Sequence, residues 1–174
     1  WKIGFVDMRR DIDGVIRSYP LQANHQGTSY YSLALQMMPL VLGEEVRYEN
    51  EREYYHIGDR TLSKTEEGRM LLNYYGGYRS FDYISLESVV DDQEFETNTE
   101  RLAFEVNEFD HPDYGLLYQD LLRDKIVLVG ATMPELQDFH QVPYTNSSGE
   151  KTMAGVEIHA NALQSILDEN FLRE

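Results

Sequence analysis

Two short runs carry the residue types from which a polar or metal site is built: Asp138-Phe139-His140 and Glu157-Ile158-His159, the second followed by Asn161. Carboxylate oxygen and imidazole nitrogen suit borderline metals, and the same groups hydrogen-bond a small polar ligand. The spacing argues against a single metal on one helix. Residues two apart on a helix point about 200° away from each other, so Glu157 and His159 cannot share an ion if the helix already runs at Val156. The His-Glu-x-x-His spacing, which places two imidazoles on one helical face, is absent. Positions 157 and 161 do share a face: Glu157, Asn161, Gln164 and Asp168 form a polar stripe beside an apolar one at 156, 160, 163 and 167. The plainer reading is that His159 caps or packs locally while Glu157 favours the positive end of the helix.

Other chemistries fare worse. The absence of cysteine removes disulfides, thiolate nucleophiles and zinc–thiolate sites. No Gly-x-Ser-x-Gly elbow and no phosphate-cradling glycine loop occurs, and the five histidines lie in separate segments. Asp11-Ile12-Asp13-Gly14 resembles part of a calcium loop, but the position for its first acid holds Arg9 and that for its last holds Pro20; a hairpin turn explains the pair better. Asn73, at the end of a strand-like run before Gly76-Gly77, could line a cleft with its amide, although a tyrosine-rich strand end is more often core and rim packing.

The elements that would position these residues follow from periodicity. Residues 4–8 and 15–19 read as strands around the Asp13-Gly14 turn, and Ser29 to Leu42 as a helix with Ser29 or Ser32 as cap. Leu33, Met37, Leu40 and Val41 are its expected buried face, Pro39 its kink or last turn, and Gly43 its end. Residues 53–57, 60–62 and 69–74 are expected strands, 81–84 is strand-like, and Ser85 opens a short helix through Val90. An acidic surface insertion with a strand at 101–106 precedes a helix over 114–122. Residues 125–132 form the most apolar strand-like run, expected at the sheet centre with a site beyond its carboxyl end. Residues 132–152 are mostly loop, and a helix covers 155–170. The fold class is therefore α/β (α+β), a mixed β-sheet covered by helices at 29–42 and 155–170.

At 174 residues the chain fits one domain over 1–174, with 15 basic and 31 acidic side chains for a net charge of −16. That surface repels phosphate backbones, so no nucleic-acid partner is expected. No apolar run approaches the 18 or so residues needed to span a bilayer.

Five runs in order resemble one family. Asp11-Ile12-Asp13-Gly14-Val15-Ile16-Arg17-Ser18-Tyr19-Pro20-Leu21, Tyr31 to Leu35, Met70 to Tyr74 with Gly76, Lys125 to Thr132, and Asp138, Pro143 and Gly155 to Gln164 are similar to the type-two CHASE domain. The resemblance implies a periplasmic or extracellular sensory module, preceded by one transmembrane helix and followed by two or three. These lead to a cytoplasmic output domain: a nucleotide or diguanylate cyclase, a histidine kinase or a Ser/Thr kinase. It further implies that this chain is the C-terminal portion, lacking an N-terminal half, with a sheet edge through which two copies pair as a homodimer. The stretch from Asp91 to Tyr114 is longer and more acidic than the resemblance leads one to expect.

The expectation is thus a non-catalytic sensor without cofactor that binds a small molecule or ion and shifts a two-state arrangement through its C-terminal helix. The expected ligand-binding residues are Asn73, Asp138, His140, Glu157, His159 and Asn161, with Arg17 neutralising a carboxylate among them. The alternatives are a purely dimerising module and a metal-dependent hydrolase built on Asp138, His140 and Glu157.

Overall fold

The computed structural model describes residues 2–49, 54–65, 68–92, 94–95, 97, 107–145, 149 and 151–172. The chain divides into two compact units, one formed by Trp1–Phe81 with Gly130–Glu174 and the other by Asp82–Val129. Among the described residues the class is α+β, with several small antiparallel sheets and three α-helices.

The first unit contains the core. A three-stranded sheet, in the order β1 (Ser18–Pro20), β7 (Arg69–Leu72), β10 (Phe171–Leu172), is antiparallel throughout, with Tyr19 opposite Met70. A hairpin of β2 (Gln22–His25) and β3 (Thr28–Tyr31) turns at Gln26-Gly27, both in the left-handed region that such a tight turn demands. β4 (Val46–Glu49), β5 (Tyr54–Ile57) and β6 (Arg60–Ser63) form a meander, and β8 (Phe139–Gln141) pairs with β9 (Thr152–Ala154). Helix α1 (Leu33–Leu42) packs on a longer helix, α3 (Gly155–Leu167). Their shared core includes Tyr19, Leu35, Met38, Met70, Ile158 and Ile166, all almost wholly excluded from solvent.

The second unit contains α2 (Leu86–Val90), which Ser85 caps by accepting from the Glu87 amide. Its Asp91 carboxylate accepts the Glu108 amide, and the Asp91 carbonyl accepts that of Phe109. His111 stacks on Tyr114, and turns occupy most of the remaining described residues.

Several expected elements differ. Residues 125–130 join no sheet, and Ile126, Val127 and Val129 are exposed, Val129 at 77%. Apolar β-branched content gives a segment the capacity for a strand, but a strand needs a partner edge, and none of the described residues supplies one. Residues 114–122 are turns rather than a helix: Gly115 interrupts them, and Asp120 and Asp124 adopt positive φ. Residues 81–84 are not a strand, whereas β8 and a 3-10 turn (Pro134–Leu136) lie within the expected loop over 132–152. Position 5 bridges Ser32 and position 15 bridges Gln141, so the Asp13-Gly14 turn forms without its expected flanking pair of strands. Residues 29–31 belong to β3, and α1 begins after Ser32 and buries Ala34, Leu35 and Met38 rather than Leu40 and Val41. Apolar residues fill nearly every position of α1, so periodicity alone could not pick its inner face. The 101–106 strand lies outside the described residues.

Candidate functional site

Helix α3 organises the polar chemistry of the first unit. Its fully buried line is Ile158, Ala162 and Ile166, while the expected apolar positions Val156, Ala160 and Leu167 are only half-buried. The polar stripe sits where the sequence places it and has a definite task. Glu157, 2% exposed, accepts the amides of Arg79 and Ser80 at 2.9 and 2.7 Å, one on each carboxylate oxygen. One turn on, the buried Asn161 accepts the Tyr75 amide at 3.0 Å and donates to the Glu157 carbonyl at 2.9 Å. Near the helix end, Asp168 accepts from the Tyr75 hydroxyl at 2.5 Å and from Gln164 at 3.0 Å. These bonds hold its carboxyl below the usual range. Just past the helix, Asn73 donates to Asn170 at 2.8 Å. Residues 73–80, which leave β7, are therefore held along α3 at four levels.

A second group forms around the N-terminus of α3. The Asp138 carbonyl accepts the Gly155 amide at 2.9 Å, and the Asp138 carboxylate rests on the Gly155 Cα, where a Cβ would stand 2.5 Å from Oδ1. A side chain at 155 would thus displace the Asp138 carboxylate, and no positive φ calls for glycine there. Negative charge at that place complements the helix dipole. His140, on β8, has Nε2 3.1 Å from Asp138 Oδ1 and Nδ1 3.2 Å from an Arg10 guanidinium nitrogen. His159 lies one turn into α3, 8% exposed, with Nδ1 2.7 Å from the Tyr19 hydroxyl and the two rings edge to face. The Ala34 amide at the start of α1 also donates to that hydroxyl, at 3.4 Å. Burial lowers the His159 pKa to about 4, with His140 adding to the fall and Asp138 opposing it. Burial likewise pushes the Tyr19 hydroxyl up. With Nδ1 unprotonated, Tyr19 donates to it while the phenol oxygen accepts from Ala34.

The seven expected residues therefore fall into three places. Asp138, His140 and His159 come together. Glu157, Asn161 and Asn73 grip the 73–80 segment, with the Glu157 carboxylate committed to backbone amides. Arg17 is elsewhere, chelated by Asp11 at 2.8 Å and by both oxygens of Asp13 at 2.9 and 2.7 Å. That contact holds Asp13 at about 2. Among the described residues no three His, Asp or Glu side chains are disposed to hold a metal ion. A separate groove of about 480 Å³ is lined by Glu44, Glu45, Arg47, His56, Gly58 and Asp59, none of them on α3.

Sequence reasoning missed Tyr19 and Arg10. Tyr19 had a signal, a hydroxyl in the middle of a strand that must be buried, and buried phenols seek a partner. Arg10 had none, because its partner is 130 positions away. His159 also proves part of the core, so replacing it by alanine removes packing as well as any ligand contact.

Among the described residues no helix is long and apolar enough to cross a membrane. A family model described as the CHASE2 domain matches residues 1–174. No curated protein and no solved structure matches the chain.

Proposed function

The chain belongs to the CHASE2 domain family, extracellular sensory modules of membrane receptors, and from that premise we propose that it is the ligand-responsive part of a bacterial transmembrane receptor. It acts in the periplasmic or extracellular space and drives a cytoplasmic cyclase or kinase without itself being a catalyst. The ligand is a small molecule or ion received beside the N-terminus of α3, at Asp138 and His140, with His159 behind them.

The observation that supports this reading most directly is the attachment of one helix to everything around it. Residues 73–80 are bonded to α3 through Glu157, Asn161 and Asp168, and β1 through the Tyr19–His159 bond. A charge placed at Asp138 and His140 acts on the first turn of the same helix, whose far end leads into β10. A displacement at one end of α3 is thereby felt at the other, because packed helices shift as units. The test is native mass spectrometry of the purified chain, intact and then denatured, followed by thermal melting with any recovered molecule. A non-covalent mass whose addition raises Tm, with the rise lost in His140→Ala, is the expected result. A rise unchanged in His140→Ala would remove this site.

A second reading is a module that only dimerises and so sets the spacing of membrane helices. The exposed Ile126, Val127 and Val129 favour it, since contiguous apolar surface commonly marks an interface. A concentration-dependent mass that Val127→Glu abolishes would support it.

A further inference from the structure

Two acidic oxygens of the second unit are buried without the donors that a buried carboxylate needs. Asp91, which ends α2, is 3% exposed. Its Oδ2 accepts the Glu108 amide at 3.0 Å and its carbonyl accepts the Phe109 amide at 2.9 Å, so the carboxylate is turned onto the 107–110 turn. Its Oδ1 is shut off from solvent and has no hydrogen-bond partner, and the same holds for Asp110 Oδ1 on that turn. The turn is fixed on its other side as well. Asn107 Oδ1 accepts the Asp110 amide at 3.1 Å. The carbonyls of Glu108, Phe109 and His111 accept the amides of Leu116, Leu117 and Gly115 at 3.0, 3.0 and 2.7 Å. A Cβ at Gly115 would stand 2.6 Å from the Phe109 carbonyl oxygen, so the loop closes too tightly for a side chain there. The residues around Asp110 are thus held between Asp91 and the 115–117 segment.

An ionised carboxylate taken out of water has to be matched by donors, by a counter-charge or by a metal ion. A backbone amide serves one oxygen of Asp91 and leaves the other bare. Arg123, a cation of the same unit, is held by Asp120 at 2.9 Å. We propose that Asp91 and Asp110 are the carboxylate ligands of a hard divalent cation of the calcium class, bound on the 107–110 turn. Two carboxylates match the charge of one such ion. Calcium takes six to eight oxygens, and amide, carbonyl and water oxygens fill its sphere, so a third acidic side chain is not needed. Among the described residues no third His, Asp or Glu completes such a group, which suits an oxygen-seeking ion and not zinc. With so few charged ligands the affinity falls on the order of 10⁻⁴–10⁻³ M, the range of extracellular calcium modules. The ion ties the 107–110 turn to the end of α2, so the order of the second unit depends on calcium. Asp138 and His140 belong to the first unit and take no part.

The test is isothermal titration of the chelator-treated chain with calcium chloride, together with thermal melting with and without saturating calcium. One calcium per chain and a rise in Tm are expected. Asp91→Asn and Asp110→Asn keep the shape of each side chain, and the first also keeps an acceptor for the Glu108 amide. Each should abolish the binding heat and the Tm rise, whereas His140→Ala should retain both. No calcium heat in the parent overturns the site, as does a response that persists in both Asn variants. A fall in Tm of equal size with and without calcium would mean a purely structural carboxylate and also overturns it. A calcium response lost in His140→Ala and kept in Asp91→Asn overturns it too, and assigns the ion to the site at the N-terminus of α3.

Discussion

Acid should weaken this fold through His159 in a way that one substitution isolates. The ring is buried and neutral, with its pKa lowered from 6.5 to about 4, whereas in the unfolded chain it charges freely. Between those two values the unfolded state binds a proton that the folded state refuses, so stability rises with pH. The contribution is complete above about pH 6.5 and is lost progressively as pH falls towards 4. At about 1.4 kcal/mol per unit the whole loss is about 3 kcal/mol. The carboxylates of Asp13 and Asp168 are held low and also lose their bonds to acid, at lower pH, so the raw curve mixes several groups. A difference measurement separates them. Urea unfolding of the parent and of His159→Gln, which keeps an acceptor for Tyr19 but does not titrate, is compared from pH 7.5 down to the start of acid unfolding. The parent should lose stability faster than the variant, by about 1.4 kcal/mol per pH unit through the middle of the window, on the linkage relation. Parallel curves would refute the reasoning, because they would mean that folding does not change the proton affinity of His159.

Three further outcomes follow from particular contacts. Glu157→Ala leaves the Arg79 and Ser80 amides without their charged acceptor and should cost about 3–5 kcal/mol in urea unfolding; a loss below about 1 kcal/mol would show that water replaces the carboxylate freely. Gly155→Ala drives a methyl into the Asp138 carboxylate, so the His140–Asp138 bond should break while the domain stays folded, read from the His140 ring signals. Val129→Lys should change stability by no more than about 0.5 kcal/mol, since the side chain is 77% exposed; a loss of several kcal/mol would place residues 125–130 in a packed sheet after all.

Local information in the sequence was enough for some of this. The polar stripe of Glu157, Asn161, Gln164 and Asp168 is legible because a helix returns to one face every third or fourth residue, whatever lies opposite. The β5–β6 hairpin around Gly58-Asp59 and the Ser85 cap are equally local, their signals lying within four residues of the structure they specify. The family is legible too, from several motifs in a fixed order spread over most of the chain.

Partnership is where local reading stopped. Residues 125–130 have the composition of a central strand, yet pairing requires a neighbouring edge, which composition does not supply. For α1 the apolar pattern surrounds the helix, so the inner face at Ala34, Leu35 and Met38 was chosen by what α3 presents to it. The candidate site divides the same way. Its residue types, Asp138, His140 and His159, stand out in the sequence, but their tasks follow from partners at separations of 2, 130 and 140 positions. The sequence by itself determined which groups can accept, donate or titrate. Only the tertiary structure decided that Glu157 serves backbone amides, that Arg17 serves its own turn, and that His159 is a neutral core residue, because burial and the nearest available partner set the charge and hydrogen bonding of a polar group.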